Sequence, residues 1–554
     1  MYIRTTKRKN TNGSITEYVQ LAHNKWDKKS QRSAVSVLVN LGRKEDVDAQ
    51  RLERLVASIQ RYLGSLPDYE QNISAGDIGV LSAKTYGSCW LLDQLWQRLG
   101  IGSCLKRLVS ITGYEIPVER LLFAMVANRA VDPASKLSVE HWANNEAYIP
   151  NLSSVSVHHL YRSMDFLLEH DSAIQEKIFF SVATVLNLEV DLIYFDTTST
   201  YFEIDASDEP GEENNDNALR QYGHTKDHRS DQPQVVIGMA VTKEGIPVRC
   251  WVFSGETSDM SMVEQVKKDM NGWRLGRVIF VMDCGFSSDE NCIKLQIGGG
   301  HYIIGEKMRS GKPEVEAALS KRGRYTMIKD DLYAKEAIIG DGERRKRFAV
   351  VLNKKVAIKD RLTREKHLQT IAEELSKTGA MNKNKHTKAV CALISHPVYG
   401  RYLKKCAGGT LEIDKRKIAA EERLDGKYLI KTSDDTLSLN DIVLGYKQLH
   451  DIERGFRTLK TELELRPVYH RKAERIRAHV LICWLALLLI RTVENETGMT
   501  WFNIRKILKQ INLVSFQLSE GIVHQSTVLT EEQVSVYNAC KVKTPPKIVD
   551  LQPS

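Results

Sequence analysis

Apolar residues along this chain occur in two kinds of pattern, short unbroken runs and helical repeats. Residues 192–196 and 278–283 are short runs rich in β-branched and aromatic side chains, and such runs predict buried strands. Each run ends in an aspartate, Asp196 or Asp283. Residues 446–460 instead predict a helix, because apolar side chains recur in and just after this stretch at helical spacing: Ile452, Phe456, Leu459 and Leu463.

The predicted helix carries a second, polar face beside its apolar stripe. Tyr446, Glu453 and Lys460 are spaced seven residues apart, and Arg457 lies between the last two. At about 100° per residue these four side chains fall along one line of the helix. A carboxylate can hold a divalent metal ion, and a tyrosine hydroxyl or a cation can hold a phosphate. The alternative is a solvated helix face that carries a Glu–Arg pair.

The two aspartates favour the functional interpretation of this helix. Asp196 and Asp283 each lie at the carboxyl end of a predicted strand, where open α/β sheets bind their ligands. A single aspartate in such a place is commonly a turn or helix cap. Two strand-end carboxylates together with Glu453 and its neighbouring cations form a much more specific set.

Over its whole length the chain is predicted to be an α/β protein of six segments. Asp283 and Glu453 are separated by about 170 residues, far more than an ordinary strand–helix connection needs, which indicates an insertion. That insertion mixes a predicted helix at 362–375 with strand-like pieces such as 389–394. The six segments are a small β-rich element at 1–43, a helical region at 44–188, the first part of the core at 189–307, the insertion at 308–425, the second part of the core with the glutamate helix at 426–495, and a partly helical tail at 496–554.

The helical region offers basic residues but no clear recognition helix. Apolar spacing near 3.6 residues predicts its helices at 48–63, 89–99, 118–127, 156–169 and 173–186. Its candidate phosphate contacts, each of which is by itself typical of a solvated surface charge, are Arg120, Arg129, Lys136 and Arg162.

Composition narrows the class of protein further. With 42% hydrophobic residues the chain can bury large cores, and its net charge of +9 is compatible with nucleic acid without diagnosing it. The nine cysteines include no C-x-x-C pair, which indicates free thiols in a reducing compartment rather than a disulfide framework or a zinc site. The sequence starts without an apolar signal-peptide core, and the apolar run 478–490 is too short to span a bilayer. We therefore expect a cytosolic protein that does not associate with a membrane.

The residues of the glutamate helix resemble the signature Y-x2-R-x3-E-x6-K of DDE transposases from bacterial insertion sequences. In this chain the signature reads Tyr446, Leu449, Glu453 and Lys460, so a leucine stands where the family has an arginine. The resemblance extends over about residues 190–490, through YFDTTST around Asp196, YGHTKDHRSDQPQVVIGMAVT, SGETSD and FRTLKTELELRPVYHR.

This resemblance implies a fold, a metal site and a reaction. It implies a ribonuclease H-like catalytic core with a mixed, partly β insertion, preceded by a small β element and by a helical region that binds the DNA ends. Two Mg²⁺ or Mn²⁺ ions would be held by Asp196 as the bridging ligand, with Asp283 and Glu453 each completing one site. The implied reaction is cleavage of DNA at the element ends, followed by attack of the freed 3′-hydroxyl on target DNA.

The resemblance also implies contacts with double-stranded DNA, both the terminal inverted repeats of the element and the target. Tyr446 and Lys460 are the first candidates for phosphate contact, and Arg457 and Arg454 are weaker ones that would stand in for the missing arginine. A homodimer that bridges two element ends, in the bacterial cytosol, is the expected assembly.

Two groups of residues upstream of Asp283 complete the candidates. His224, Lys226 and Arg229 precede a predicted core strand and are candidate DNA contacts, with a plain surface loop as the alternative. Trp251 and Trp273 could stack on an extruded base, but buried core residues are the stronger interpretation.

Two other functions remain open from the sequence. A metal-dependent nuclease of the same fold would keep the three carboxylates and cut DNA without strand transfer. A catalytically inactive DNA-binding derivative that acts as a regulator would usually have lost a carboxylate, whereas Asp196, Asp283 and Glu453 are all present here.

Overall fold

The computed structural model of the chain divides into two compact units, which are described separately. The first comprises residues 1–80, 516–522 and 553–554, and the second comprises 81–515 and 523–552. The residues that the structure describes are 2–9, 15–27, 32–44, 56, 79–188, 191–204, 206–209, 218–223, 231–271, 273, 278–342, 345–378, 383–406, 410–466, 468, 470–518 and 521–553.

The first unit contains a three-stranded antiparallel sheet. Its strands are β1 (Tyr2–Lys9), β2 (Ile15–Asp27) and β3 (Arg32–Arg43), paired in the order β1-β2-β3. All three strands lie within residues 1–43, where the sequence predicted a small β-rich element. The helix predicted at 48–63 lies outside the described residues except for Val56.

The second unit begins with a strand and a set of helices packed around one another. Leu91, Leu121 and Leu160, each on a different helix, are fully buried in their common core. The elements are β4 (Gly79–Thr85), α1 (Gly87–Arg98), α2 (Ile101–Val109), α3 (Val118–Val131), α4 (Lys136–His141), a π-helical turn (Trp142–Glu146), α5 (Val157–Glu169) and α6 (Asp171–Leu186).

Three of the four basic residues proposed as phosphate contacts in this region are buried, so neither the DNA-contact nor the surface-charge interpretation of them was right. Arg120, Arg129 and Lys136 are 6%, 4% and 3% exposed, whereas Arg162 is exposed. The physical reason is that α3 is buried on every face, so its charged residues must find partners inside the protein. Arg129, for example, donates to the carbonyl oxygens of Ala134 at 2.7 Å and of Glu464 at 3.2 Å.

Burial of Lys136 predicts a pH-dependent penalty to stability. Burial, with the neighbouring charge of Arg129, lowers the pKa of Lys136 from 10.5 to about 7. Between about pH 7 and pH 10.5 the side chain of Lys136 is therefore protonated in the unfolded chain and neutral in the folded one, and the penalty from this group shrinks as the pH rises. Lys136→Met should remove the penalty and stabilise the protein by about 1–4 kcal/mol at or below neutral pH, with a smaller gain as the pH approaches 10.5.

Thermal unfolding at pH 6.5 and pH 9.5 measures this effect. Lys506→Met on an exposed position is the matched control and should change the melting temperature little at either pH. A lower melting temperature for Lys136→Met at both pH values would contradict the expectation.

A nine-stranded mixed sheet forms the centre of the second unit. Its strands pair in the order β10-β11-β12-β15-β9-β8-β5-β6-β7; β8 is parallel to both β5 and β9, and the other neighbours are antiparallel. The strands are β5 (Leu192–Tyr201), β6 (Gln234–Val241), β7 (Pro247–Ser254), β8 (Ile279–Met282), β9 (His301–Glu306), β10 (Thr326–Lys329), β11 (Leu332–Ile339), β12 (Lys346–Asn353) and β15 (Lys427–Thr432).

Helices cover this sheet, and a smaller sheet lies near the end of the chain. The portions of β4, β16, β17 and β18 in the second unit form a four-stranded sheet in the order β18-β17-β16-β4. The remaining elements are β13 (Leu403–Lys405), β14 (Leu411–Ile413), β16 (Asn512–Leu518), β17 (Gly521–Ser526), β18 (Ile548–Pro553), α7 (Asp259–Asn271), α8 (Asp289–Gln296), α9 (Pro313–Ser320), α10 (Lys354–Thr378), α11 (Lys383–Ser395), α12 (Lys415–Glu422), α13 (Leu439–Lys447), α14 (Leu449–Thr461), α15 (Ala473–Thr497), α16 (Trp501–Leu508) and α17 (Glu531–Ala539).

The segment predicted as an insertion has two structural parts. Strands β10, β11 and β12 continue the central sheet through β15, while α10, α11, α12 and the β13–β14 pair lie outside it. Residues 389–394, predicted as strand-like, belong to helix α11, because a short apolar run does not by itself distinguish a strand from a helix. The apolar residues of this outer part form a cluster of their own: Ile371, Val390, Leu393, Tyr402, Leu403 and Leu411.

Helix α15 contains the longest apolar run of the sequence and is longer than that run. It is the one helix among the described residues that is long and apolar enough to cross a membrane, but 94% of its most apolar stretch is buried inside the protein. The prediction of a buried core helix is therefore confirmed.

Candidate active site

Asp196 and Asp283 lie beside each other at the end of a parallel strand ladder. The pairing of β5 with β8 ends at Phe195 and Met282, and each aspartate is the next residue of its chain segment. Strand β5 itself continues to Tyr201, because it also pairs with β6. The prediction that the strand ends at Asp196 was therefore wrong, because β5 runs on to Tyr201. Asp196 does, however, directly follow the last residue pair between β5 and β8.

The glutamate helix is two helices rather than one. Helix α13 ends at Lys447 and α14 begins at Leu449, and Gln448 between them has φ −71° and ψ −8°. The amide of Gln448 donates to two carbonyls of the preceding turn, which tightens the end of α13, and its side chain accepts a hydrogen bond from Tyr194 of β5. The apolar pattern did not reveal this break, because the two helices are separated by Gln448 alone and the spacing of their apolar residues stays close to that of one helix.

Helix α14 is held on the sheet by the predicted apolar stripe. Phe456, Leu459 and Leu463 are buried, and the side chain of Ile452 lies outside the described residues. Gly455 allows a close approach to β6, since a Cβ atom there would lie 3.3 Å from Cε of Met239. This packing holds the polar face of α14, with Glu453, at the edge of the sheet.

One cavity of about 330 Å³ brings the three predicted carboxylates together. Sequence reasoning did not find four of its lining residues. Leu332 and Asn353 come from strands of the insertion, Tyr428 comes from β15, and Lys447 lies outside the heptad spacing. The lining residues are Asp196, Asp283, Leu332, Asn353, Tyr428, Tyr446, Lys447, Leu449 and Glu453.

Tyr446 contacts one of the predicted catalytic carboxylates directly. Its hydroxyl donates to Oδ1 of Asp283 at 3.2 Å, and its ring stacks on Tyr428 with 6.0 Å between the centroids. Burial and the charge of Asp283 raise the pKa of Tyr446, so the hydroxyl stays protonated and remains a donor.

The other predicted DNA contacts lie in different surroundings. Arg454 points towards α15, where its Nη2 lies 3.7 Å from Oε2 of the buried Glu494. Arg457 is exposed and Lys460 is half-buried on α14. The remaining three candidates, His224, Lys226 and Arg229, lie outside the described residues.

The residue types of the cavity fit a hard divalent cation, although they do not form a ready-made metal centre. Three carboxylates and no described cysteine or histidine line the cavity, and carboxylate oxygens suit Mg²⁺ or Mn²⁺. Within the described part of the chain, no three His, Cys, Asp or Glu residues are grouped closely enough to hold one ion.

A second cavity, of about 540 Å³, lies at strand β7 and contains none of the three predicted carboxylates. Its buried Arg249 donates to the carbonyl of Asp269 at 3.1 Å, and Trp251 donates to the Asp269 carboxylate at 2.9 Å. Trp251 and Trp273 are both buried, so the prediction that they are core residues is confirmed.

Comparison with known proteins gives two family matches. The family described as transposase DDE domain matches residues 198–489, and the IS1634 family transposase N-terminal domain matches residues 3–72. No curated protein is detectably similar to the chain.

A solved structure of the piggyBac transposase synaptic complex with hairpin DNA is also similar to this chain. The sequences are 11% identical, the match covers 77% of this chain and 80% of that one, and the TM-score is 0.33, which is too low to identify equivalent residues. The DDE match, in contrast, spans more than half of the chain and includes Asp283 and Glu453. The chain therefore belongs to the DDE transposase family of insertion sequences and is a DNA transposase.

Proposed function

We propose that Asp196, Asp283 and Glu453 are the catalytic carboxylates of this transposase. The observation that carries the proposal is that all three line one cavity, although the two aspartates follow the β5–β8 ladder and Glu453 is on a helix about 170 residues beyond Asp283. The strand order β7-β6-β5-β8-β9, with β5 and β9 parallel to β8, supports a ribonuclease H-like core around this cavity.

The three carboxylates would hold two Mg²⁺ or Mn²⁺ ions, with Asp196 bridging them. Two bound ions would supply an activated nucleophile and stabilise the leaving 3′ oxygen in an in-line displacement at phosphorus. The protein contributes the fixed positions of the carboxylates, because Asp196 and Asp283 follow a paired strand ladder and Glu453 is on a helix packed against that sheet.

DNA phosphates would be held by cations of helices α13 and α14. Lys447 is exposed and lines the cavity, which adds it to Lys460 and Arg457 as candidate contacts. Arg454 is a weaker candidate, since it faces Glu494. His224, Lys226 and Arg229 stay predicted contacts.

The substrates would be double-stranded inverted repeats at the element ends and then target DNA, in the cytoplasm of a bacterial cell. The core segments at 189–307 and 426–495 would supply the three carboxylates. The helical region at 44–188 and the insertion at 308–425 would contact DNA outside the cavity. A homodimer on two DNA ends is the assembly that the family implies.

A strand-transfer assay tests this proposal. Labelled inverted-repeat DNA from the flanks of the source gene is mixed with the full chain, a target plasmid and Mg²⁺, and we expect cleaved ends that then become joined to the plasmid. Cleavage without joining would establish a nuclease instead. Binding without any metal-dependent cleavage would overturn the catalytic proposal and indicate an inactive regulatory derivative.

The leucine at signature position 449 gives a further prediction. Leu449 lines the cavity, so Leu449→Arg would add a cation where the family has one. We expect it to tighten binding of inverted-repeat DNA by up to about tenfold and to steepen the salt dependence by about one unit. Fluorescence anisotropy over a salt series measures both quantities.

Leu444→Arg is the matched control for this substitution. Leu444 is 38% exposed on α13 and does not line the cavity. Its substitution by arginine therefore adds the same charge outside the cavity. Equal tightening by both variants would show a general charge effect and would contradict a specific contact at position 449.

A further inference from the structure

We propose that Tyr446 is a positioning residue that orients the Asp283 carboxylate for metal binding, and that Gly305 provides the space for it. This role differs from the phosphate contact predicted from the signature. The inference rests on the proposed function of Asp283 as a metal ligand.

The contact between Tyr446 and Asp283 restrains the carboxylate from one side. The tyrosine hydroxyl donates to Oδ1 at 3.2 Å, so the second oxygen and the remaining lone pairs of Oδ1 are left for other partners. Asp283 itself follows strand β8 and precedes a 3₁₀ turn, Cys284–Phe286, so its backbone is fixed on both sides. A carboxylate that ligates a metal is commonly oriented by such an outer hydrogen bond.

The ring of Tyr446 is restrained by a residue of strand β15. Tyr428 on β15 stacks against it with an interplanar angle of 28°. Because β15 pairs with β9 and β9 pairs with β8, the stacking partner belongs to the same hydrogen-bonded sheet as the strand that precedes Asp283. The hydroxyl therefore has little freedom to turn away from the carboxylate.

Gly305 of β9 makes this arrangement possible. A Cβ atom at position 305 would lie 2.1 Å from the hydroxyl oxygen of Tyr446 and 2.9 Å from its Cζ atom. These distances are far below van der Waals contact, so any side chain at 305 would displace the hydroxyl from Asp283.

The same geometry argues against Tyr446 as a phosphate contact. A phenol has one proton to donate, and Tyr446 directs it to Asp283. Tyr446 is half-buried, whereas its neighbour Lys447 is exposed and lines the same cavity. The phosphate contact at this point of the helix pair is accordingly assigned to Lys447.

Direct Mn²⁺ binding, followed by electron paramagnetic resonance on the full chain without DNA, tests the inference. Tyr446→Phe keeps the ring and removes the hydroxyl, and we expect Mn²⁺ binding to weaken about 10- to 100-fold. Gly305→Ala should reproduce this loss through displacement of the hydroxyl. Tyr325→Phe, on a ring outside the cavity, is the matched control and should bind Mn²⁺ as the wild type does.

DNA binding in the absence of metal separates the two roles of Tyr446. Inverted-repeat DNA should bind Tyr446→Phe with unchanged affinity and bind Lys447→Met more weakly. Weaker DNA binding by Tyr446→Phe together with normal Mn²⁺ binding would overturn the inference in favour of a phosphate contact.

Asp283→Ala distinguishes failure of the inference from failure of the proposed function. If Asp283→Ala loses Mn²⁺ binding while Tyr446→Phe keeps it, the ligand assignment stands and the positioning role falls. If Asp283→Ala binds Mn²⁺ as well as the wild type, the proposed ligand role fails, and the inference fails with it.

Discussion

Asp196→Asn and Glu453→Gln are each expected to lower the rate of DNA-end cleavage by at least about 10³-fold, because residues of one catalytic set act as a unit. Each substitution preserves size and removes the negative charge that would bind a divalent ion. Both residues line the same cavity with Asp283, although they come from a strand and from a helix. Single-turnover cleavage of labelled inverted-repeat DNA measures the rate, and metal-free DNA binding should stay near the wild-type value.

Glu474→Gln is the matched control for this pair of variants. It makes the same chemical change at an exposed position in the first turn of α15, away from the cavity, and should leave the cleavage rate unchanged. If either cavity variant cleaved at the wild-type rate, that residue would have to be removed from the catalytic set.

Arg120→Met is expected to lower the free energy of unfolding by about 3–5 kcal/mol, since it leaves buried carboxylates without their cation. The guanidinium of Arg120 lies 2.6 Å from Asp93 and 2.5 Å from Glu119, and all three side chains are buried. Glu119 also accepts a hydrogen bond from the indole of Trp96 at 2.7 Å, so the disturbance would reach the core of the helices. Thermal and urea-induced unfolding of the full chain measure the loss.

Arg162→Met removes an arginine from the same helical region but from an exposed position. It should change the free energy of unfolding by no more than about 0.5 kcal/mol. If Arg120→Met left the free energy of unfolding unchanged, the buried ion pairs would contribute nothing to stability and the prediction would be wrong.

These buried charges illustrate what the sequence could not predict. Helix α3 carries Glu119, Arg120 and Arg129 among apolar residues, and charged residues on a helix usually face water. Their burial depends on the packing of α3 against α5 and α15, which no local pattern encodes.

The gathering of the three carboxylates at one cavity could be predicted, since each is marked by a local pattern: an aspartate after a short apolar run, or a helical spacing. Asn353 and Tyr428 could not, because they reach the cavity only through the pairing of β12 with β15 and of β15 with β9. The contact between Tyr446 and Asp283 depends in turn on Gly305, which carries no signal of its own in the sequence. Long-range strand pairing is therefore the information that was missing.

The continuous pairing from β10 to β7 also limits how the insertion can move. Strands β11 and β12 of the insertion are joined by backbone hydrogen bonds to β15 and through it to β9, so a hinge between these strands and the cavity would have to break a ladder. Among the described residues of the insertion, the outer part has a separate apolar cluster and a separate strand pair, so its movement would not break this ladder. Displacement of β11 or β12 would accordingly strain the lining of the cavity, which includes Leu332 and Asn353, rather than open the cavity by the swing of a lid.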